Sequence, residues 1–197
     1  MSTEPATADD GVTYSYRPSL MGAPWQFRLT EQGLDWTAGK YSGSVPYGKI
    51  RRVRMSYRPT NAQQQRFMTE VWSDGTPKLP IVSSSMRGMF DQERLDRPYI
   101  DFISALHRRL IDANVNVEYR QGGNPVIIWT GFTVFTAVTL GMLWLVVRAL
   151  QEVELGGALF IAGFIALFVW RGWNYFNRNR PGVYRPDALP ALLLPKP

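Results

Sequence analysis

The chain has 197 residues, 22 Lys and Arg against 16 Asp and Glu, a net charge of +6, one histidine and no cysteine. The absence of cysteine excludes disulfides and thiolate metal centres, and a lone histidine excludes a multi-histidine metal site. A basic balance does not by itself call for nucleic acid, and no nucleic-acid partner is expected, because a basic surface beside a membrane meets anionic headgroups.

Residues 1–12 are small, acidic and polar without a pattern, and disorder is expected there. The first twenty residues include Glu4, Asp9 and Asp10 and no apolar run, so no signal peptide is expected. A folded domain is expected over 13–120. Trp25, Phe27 and Leu29 alternate with polar residues, a turn follows at 31–33 with Gly33 as its flexible residue, and Leu34 and Trp36 resume the alternation, which reads as a hairpin. The chain turns again at 38–40, and residues 41–45 form a third short strand that Pro46 ends.

Residues 50–57 form the next strand, with Val53, Met55 and Tyr57 on one face and Arg52, Arg54 and Ser56 on the other. A polar loop over 59–65 leads to strands at 67–72 and 79–83, separated by a turn at 73–75. Residues 84–97 read as irregular and charged. A helix is expected over 98–114, with Asp96 as N-cap and Pro98 in its first turn. Its apolar stripe, Ile100, Ile103, Leu106 and Leu110, must cover something apolar. Residues 115–119 are extended, and Gly122-Gly123-Asn124-Pro125 breaks the chain before the next region. Six or seven short strands closed by one helix describe an α+β domain or a small barrel.

Residues 126–147 are twenty-two consecutive residues without a charge. At ~1.5 Å per residue they make a helix of roughly 33 Å, enough to cross a bilayer core. Residues 155–170 are sixteen more, or roughly 24 Å, which is short for a span and also fits a re-entrant or interfacial helix. Glu154 and Arg171 can snorkel, and Trp170 and Trp173 suit an interface. The pair reads as a transmembrane hairpin, with helices over 125–150 and 155–172. Residues 1–125 carry a net +3, the segment 148–155 a net −1, and 171–197 a net +4. Lys and Arg near helix ends favour the cytoplasmic side, so both termini are expected in the cytoplasm and the loop between the helices outside. The tail, 173–197, is proline-rich yet apolar, and Leu189, Leu192, Leu193 and Leu194 dock either on this chain's own domain or on a partner.

Residues 28–55 carry a phrase, Val45-Pro46-Tyr47-Gly48-Lys49-Ile50-Arg51-Arg52-Val53, after a strand, a Gly-Leu turn and a strand. This segment resembles the bacterial pleckstrin-homology-like domains of small membrane proteins. The resemblance covers roughly residues 14–116. It implies a barrel of about seven strands with one end plugged by the helix at 98–114. One departure is the hairpin, which follows the domain here, whereas in many members membrane helices precede it. That family is defined by fold far more than by a shared reaction.

Candidate sites are few. His107 has no second His or Cys nearby, and Asp112 is five residues on, so it reads as a satisfied boundary histidine. No Gly-x-Ser-x-Gly, Walker or dinucleotide motif is present. No catalytic residue, cofactor or metal is therefore expected, and the chain does not read as an enzyme. The candidate contact surface is Lys49, Arg51, Arg52, Arg54 and Arg58, which suits lipid phosphates or an acidic partner, or else protects an edge strand from stray pairing. In the hairpin, Thr133, Ala137 and Gly141, and likewise Ala158, Ala162 and Ala166, recur four apart and permit close helix packing, within the hairpin or against another subunit. Neither run has an ionisable residue at depth, which argues against an ion pathway through this chain alone. The function expected is a membrane-anchored interaction module that scaffolds, assembles or regulates a larger membrane complex. The alternative is a sensor of anionic lipid using the basic strand face.

Overall fold

The computed structural model describes residues 11–59, 65–88, 91–152 and 155–195. The disorder expected for residues 1–12 lies outside the described residues up to position 10. The chain divides into two units, residues 1–120 with 183–197, and residues 121–182.

The first unit begins with an antiparallel meander, β1 (Thr13–Tyr16), β2 (Trp25–Leu29), β3 (Gly33–Ala38) and β4 (Tyr41–Pro46), in that spatial order. Its alternation sends Tyr14, Tyr16, Phe27, Leu29, Leu34, Trp36 and Val45 inward. The register places Tyr14 opposite Phe27 and Phe27 opposite Trp36, so aromatic rings follow one another across the sheet. Gly33 is needed for a reason other than backbone flexibility. A Cβ there would collide with the Val45 carbonyl, and the turn is held by the Thr30 hydroxyl, which donates to the Gly33 carbonyl at 3.0 Å.

A 3-10 turn, Tyr47–Lys49, leads into β5 (Ile50–Tyr57), β6 (Phe67–Ser73) and β7 (Leu79–Val82). Two further strands, β10 (Glu118–Gln121) and β11 (Gly182–Val183), extend this sheet to the order β11-β10-β5-β6-β7. Its inward residues include Val53, Met55, Val71, Leu79 and Ile81, all fully buried. A bulge at Arg51 lets Ile50 and Val53 both face inward although they are three apart.

Among the described residues the sheets are open and no ladder closes them into a ring, so the closed barrel of about seven strands expected from the resemblance is not shown. β1 meets β7 through side chains instead: the Tyr14 hydroxyl donates to the Val82 carbonyl and the Tyr16 hydroxyl to the Pro80 carbonyl, each at 2.5 Å. Burial raises the pKa of both hydroxyls, which keeps them protonated as donors.

The segment expected to be irregular at 84–97 holds a small hairpin, β8 (Ser84–Met86) and β9 (Gln92–Arg94), tied by an Arg87–Glu93 pair at 2.6 Å. Strands of three residues held by charge pairs leave no apolar alternation to read. α1 (Asp96–Asp112) follows. Asp96 is its first residue and not its cap, because its carboxylate is taken by Arg94 at 2.5 Å. The buried stripe is Tyr99, Phe102, Ile103, Leu106 and Leu110, with Ile100 only half-buried at its edge. Phe102 lies 5.5 Å from Tyr14 and 6.2 Å from Phe27, while the Tyr99 hydroxyl bonds Thr69 of β6 at 2.6 Å. One helix thus joins both sheets, and each such side chain adds about 1.5–3 kcal/mol by burial.

The tail belongs to this same unit. Tyr184 and Leu193 are buried in its core, Leu189 and Leu194 pack against it, and a 3-10 turn, Ala191–Leu193, lies against β5. Of the two alternatives for the tail, docking on the chain's own domain is the one observed.

The second unit is α2 (Pro125–Glu152) and α3 (Leu155–Arg178) with their flanking residues. Both are long and apolar enough to cross a membrane, and 6 % of each span is buried within the protein. α3 exceeds its sixteen-residue apolar run because the helix continues through the aromatic and basic residues up to Arg178. Asn124 caps α2, its side-chain oxygen accepting from the Val126 N–H at 3.0 Å. The Thr133, Thr136 and Thr139 hydroxyls donate to carbonyls one turn back at 2.8–3.0 Å, so none is left as an orphan in an apolar setting.

Candidate functional site

On the outward face of the second sheet, β5 presents Arg52 and Arg54, and β6 presents Trp72 and Glu70 directly opposite them. Trp72 is half-exposed and ringed by cations: the Arg54 guanidinium lies 5.3 Å from its ring, Lys78 Nζ 5.8 Å and the Arg52 guanidinium 6.0 Å. Glu70 is buried beneath this layer, with Lys78 Nζ at 2.8 Å and Arg58 at 3.7 Å from its carboxylate. Glu118 on β10 accepts from Arg52 at 2.6 Å and from Arg120 at 2.5 Å, and these two bonds hold its carboxyl below the usual range.

Five cations therefore meet two carboxylates, which leaves the face with an excess of three positive charges. Arg54 is the centre of that excess. Among the described residues no carboxylate lies within 4 Å of it. Its pKa is lowered first by burial and then by Arg52, Arg120 and Arg58, with Glu70 opposing them. A partly desolvated guanidinium crowded by like charges is relieved by an incoming anion.

The structure brings Arg52, Arg54 and Arg58 of the sequence-predicted set into this cluster. It does not bring Lys49 and Arg51, which sit before and on the bulge. Arg51 pairs with Asp74 at 2.6 Å and Lys49 is exposed in the 3-10 turn. Sequence reasoning missed Trp72, Lys78, Arg120, Glu70 and Glu118. A signal existed for one of them: Trp72 falls on the polar side of an alternation whose inward residues are Phe67, Thr69 and Val71. Lys78 joins from the turn of the β6–β7 hairpin, eight residues from Glu70, and Arg120 joins only through strand pairing distant in sequence.

His107 is buried, not at a boundary. Nδ1–H donates to the Ile103 carbonyl at 2.7 Å, and Nε2 accepts from the Tyr184 hydroxyl at 2.8 Å. Its ring lies 5.6 Å from Tyr119 and 5.8 Å from Tyr184, and burial pushes its pKa down to about 4. The histidine is thus neutral and ties the tail to α1.

In the hairpin, Thr133, Ala137, Gly141, Ala162 and Ala166 are exposed, and the side chain of Ala158 lies outside those described. Ala162 and Ala166 line a groove with Leu143 and Val146 of α2, and α2 and α3 touch through Phe135 against Phe168 at 5.0 Å and Phe132 against Phe176 at 5.3 Å. Gly131 and Gly172 are the small residues at that contact, since a Cβ would touch Phe176 in one case and overlap Phe135 in the other.

Comparisons of the chain with protein-family models, with curated proteins and with solved structures return no match.

Proposed function

We propose that the chain is a non-catalytic, membrane-anchored binding module of a bacterial inner membrane, whose cationic face around Trp72 docks an acidic surface of a partner within a larger membrane assembly. The observation that carries this reading is the excess charge centred on Arg54 beside a half-exposed tryptophan. Tryptophan and arginine are the residues that most often dominate protein interfaces. Arginines already oriented by Glu118 and Glu70 lose less entropy on meeting a second carboxylate.

Anchoring rests on two helices whose apolar surface is almost wholly exposed, an arrangement that water does not tolerate and a bilayer does. Residues before and after the hairpin fold as one unit, which supports a hairpin that starts and ends on one side. The basic tail supports the cytoplasm as that side. The order of elements supports the pleckstrin-homology-like resemblance: a four-strand meander, a three-strand meander and then a helix across both.

The test is co-purification of the full chain in mild detergent, comparing wild type with Trp72→Ala and Arg54→Ser. A stoichiometric protein partner that is retained by the wild type and lost from both variants supports the reading. Retention of anionic lipid alone, lost in both variants, transfers the face to the lipid-sensing alternative. A partner held equally by all three proteins refutes a role for this face.

A further inference from the structure

The second unit holds a cleft of about 600 Å³ between the first turn of α2 and the last turn of α3. It is lined chiefly by the apolar and aromatic Ile128, Trp129, Phe132, Trp173 and Phe176, together with the polar Gln121, Asn177 and Arg180. The size lies within the range of about 300–1,000 Å³ usual for small-molecule sites. We propose that this cleft binds one anionic phospholipid, with an acyl chain against the aromatic wall and the phosphate at Arg180. The proposal rests on the reading that the hairpin spans a membrane.

Three features select this occupant. The first is depth. The cleft sits where the two apolar spans end, Pro125 and Arg178, which is the level of lipid headgroups. Trp129 and Trp173 flank it at 62 % and 61 % exposure, and the interface is where large amphipathic rings settle. The second is charge. No Asp or Glu occurs over 119–151 or 155–186, so the cleft has no acid of its own along the neighbouring chain to meet Arg180. No carboxylate lies within 4 Å of Arg180 among the described residues.

The third feature is preorganisation. Gly122 adopts φ +77°, and a Cβ there would collide with the Asn179 and Arg180 carbonyls. The Gly123 N–H donates to the Asn179 carbonyl at 3.2 Å. The Gly-Gly pair thus clamps the backbone that carries Arg180 beside the start of α2. The guanidinium borne by that backbone offers a phosphate two donors in one plane, and the aromatic wall accepts the chain. A zwitterionic lipid of the same chain length lacks the net negative charge.

The experiment uses the full chain purified in detergent and read by native mass spectrometry while phosphatidylglycerol or phosphatidylethanolamine of matched acyl chains is titrated in. One phosphatidylglycerol should be retained in preference to phosphatidylethanolamine. Arg180→Gln should weaken phosphatidylglycerol about tenfold, as the loss of a charge-assisted bond implies. Arg148→Gln, the same charge removed at the other end of α2, should leave binding unchanged. Soluble glycerol phosphate should fail to displace the lipid. Equal retention of both lipids, an Arg180→Gln variant that binds like wild type, or displacement by glycerol phosphate each overturn the proposal. Release of the protein from membranes by alkaline carbonate overturns the spanning reading itself, a failure separate from that of the lipid site.

Discussion

Acidification should expose the strain of keeping His107 neutral. In the folded chain its pKa lies at about 4 because the imidazolium would be buried with Nε2 already facing the Tyr184 hydroxyl. The unfolded chain has a histidine of ordinary pKa, about 6.5. A depressed folded pKa means that the unfolded state takes up the proton first as pH falls. The stability from neutral His107 is complete above about pH 6.5, is lost between there and about pH 4, and levels off below. A shift of this size at about 1.36 kcal/mol per unit gives a loss of about 3 kcal/mol. The measurement is urea unfolding of the full chain at intervals from pH 7.5 to 4, beside His107→Gln, whose amide does not titrate. Carboxylates protonate in both proteins, so the difference between the two isolates the histidine, and the chain has only one. That difference should narrow by about 3 kcal/mol in favour of the variant as the pH falls. A difference constant to within about 0.5 kcal/mol across the range would refute a buried neutral histidine.

Leu106 is fully buried in α1, so Leu106→Ala should cost about 2–5 kcal/mol, while Arg108→Ala on the exposed face should cost about 0.5 kcal/mol or less by the same unfolding assay. The fragment for such work must include the tail, because Tyr184 and Leu193 complete the core. Gly122→Ala combines a left-handed backbone with a collision, and a loss of more than about 1 kcal/mol is expected, read as a fall in melting temperature. Single cysteines at Met21 and Leu192, both exposed, should react with an impermeant thiol reagent from the same side of the membrane and one at Gly156 from the other. Opposite labelling of Met21 and Leu192 would break the hairpin reading.

The alternation of β2, and of β5 as far as Met55, was legible because apolar residues fall on one face and burial follows that period, but Ser56, expected on the outward face with Arg52 and Arg54, is buried between Met55 and Tyr57. The same logic located Arg52 and Arg54 on the outward face. β8 and β9 were not legible, since strands of three residues in which Met86 is the one apolar side chain carry no period. Of the α1 stripe read from spacing, Ile103, Leu106 and Leu110 are buried, while Ile100 gives way to Tyr99 and Phe102, whose rings reach the aromatic rows of the first sheet.

Local composition alone determined the two apolar helices, the half-buried strands and the arginine ladder, because each depends on residues near in sequence. Tertiary structure decided what those pieces meet. Trp72 gathers cations from β5 and from the turn before β7, and Glu118 links Arg52 to Arg120 across strands 66 residues apart in the chain. The lone histidine finds its second partner 77 residues away in the tail. Such contacts depend on sheet order and on a tail returning to the core it left at residue 120, and these are fixed by the packing of the whole unit, which no local window of sequence contains.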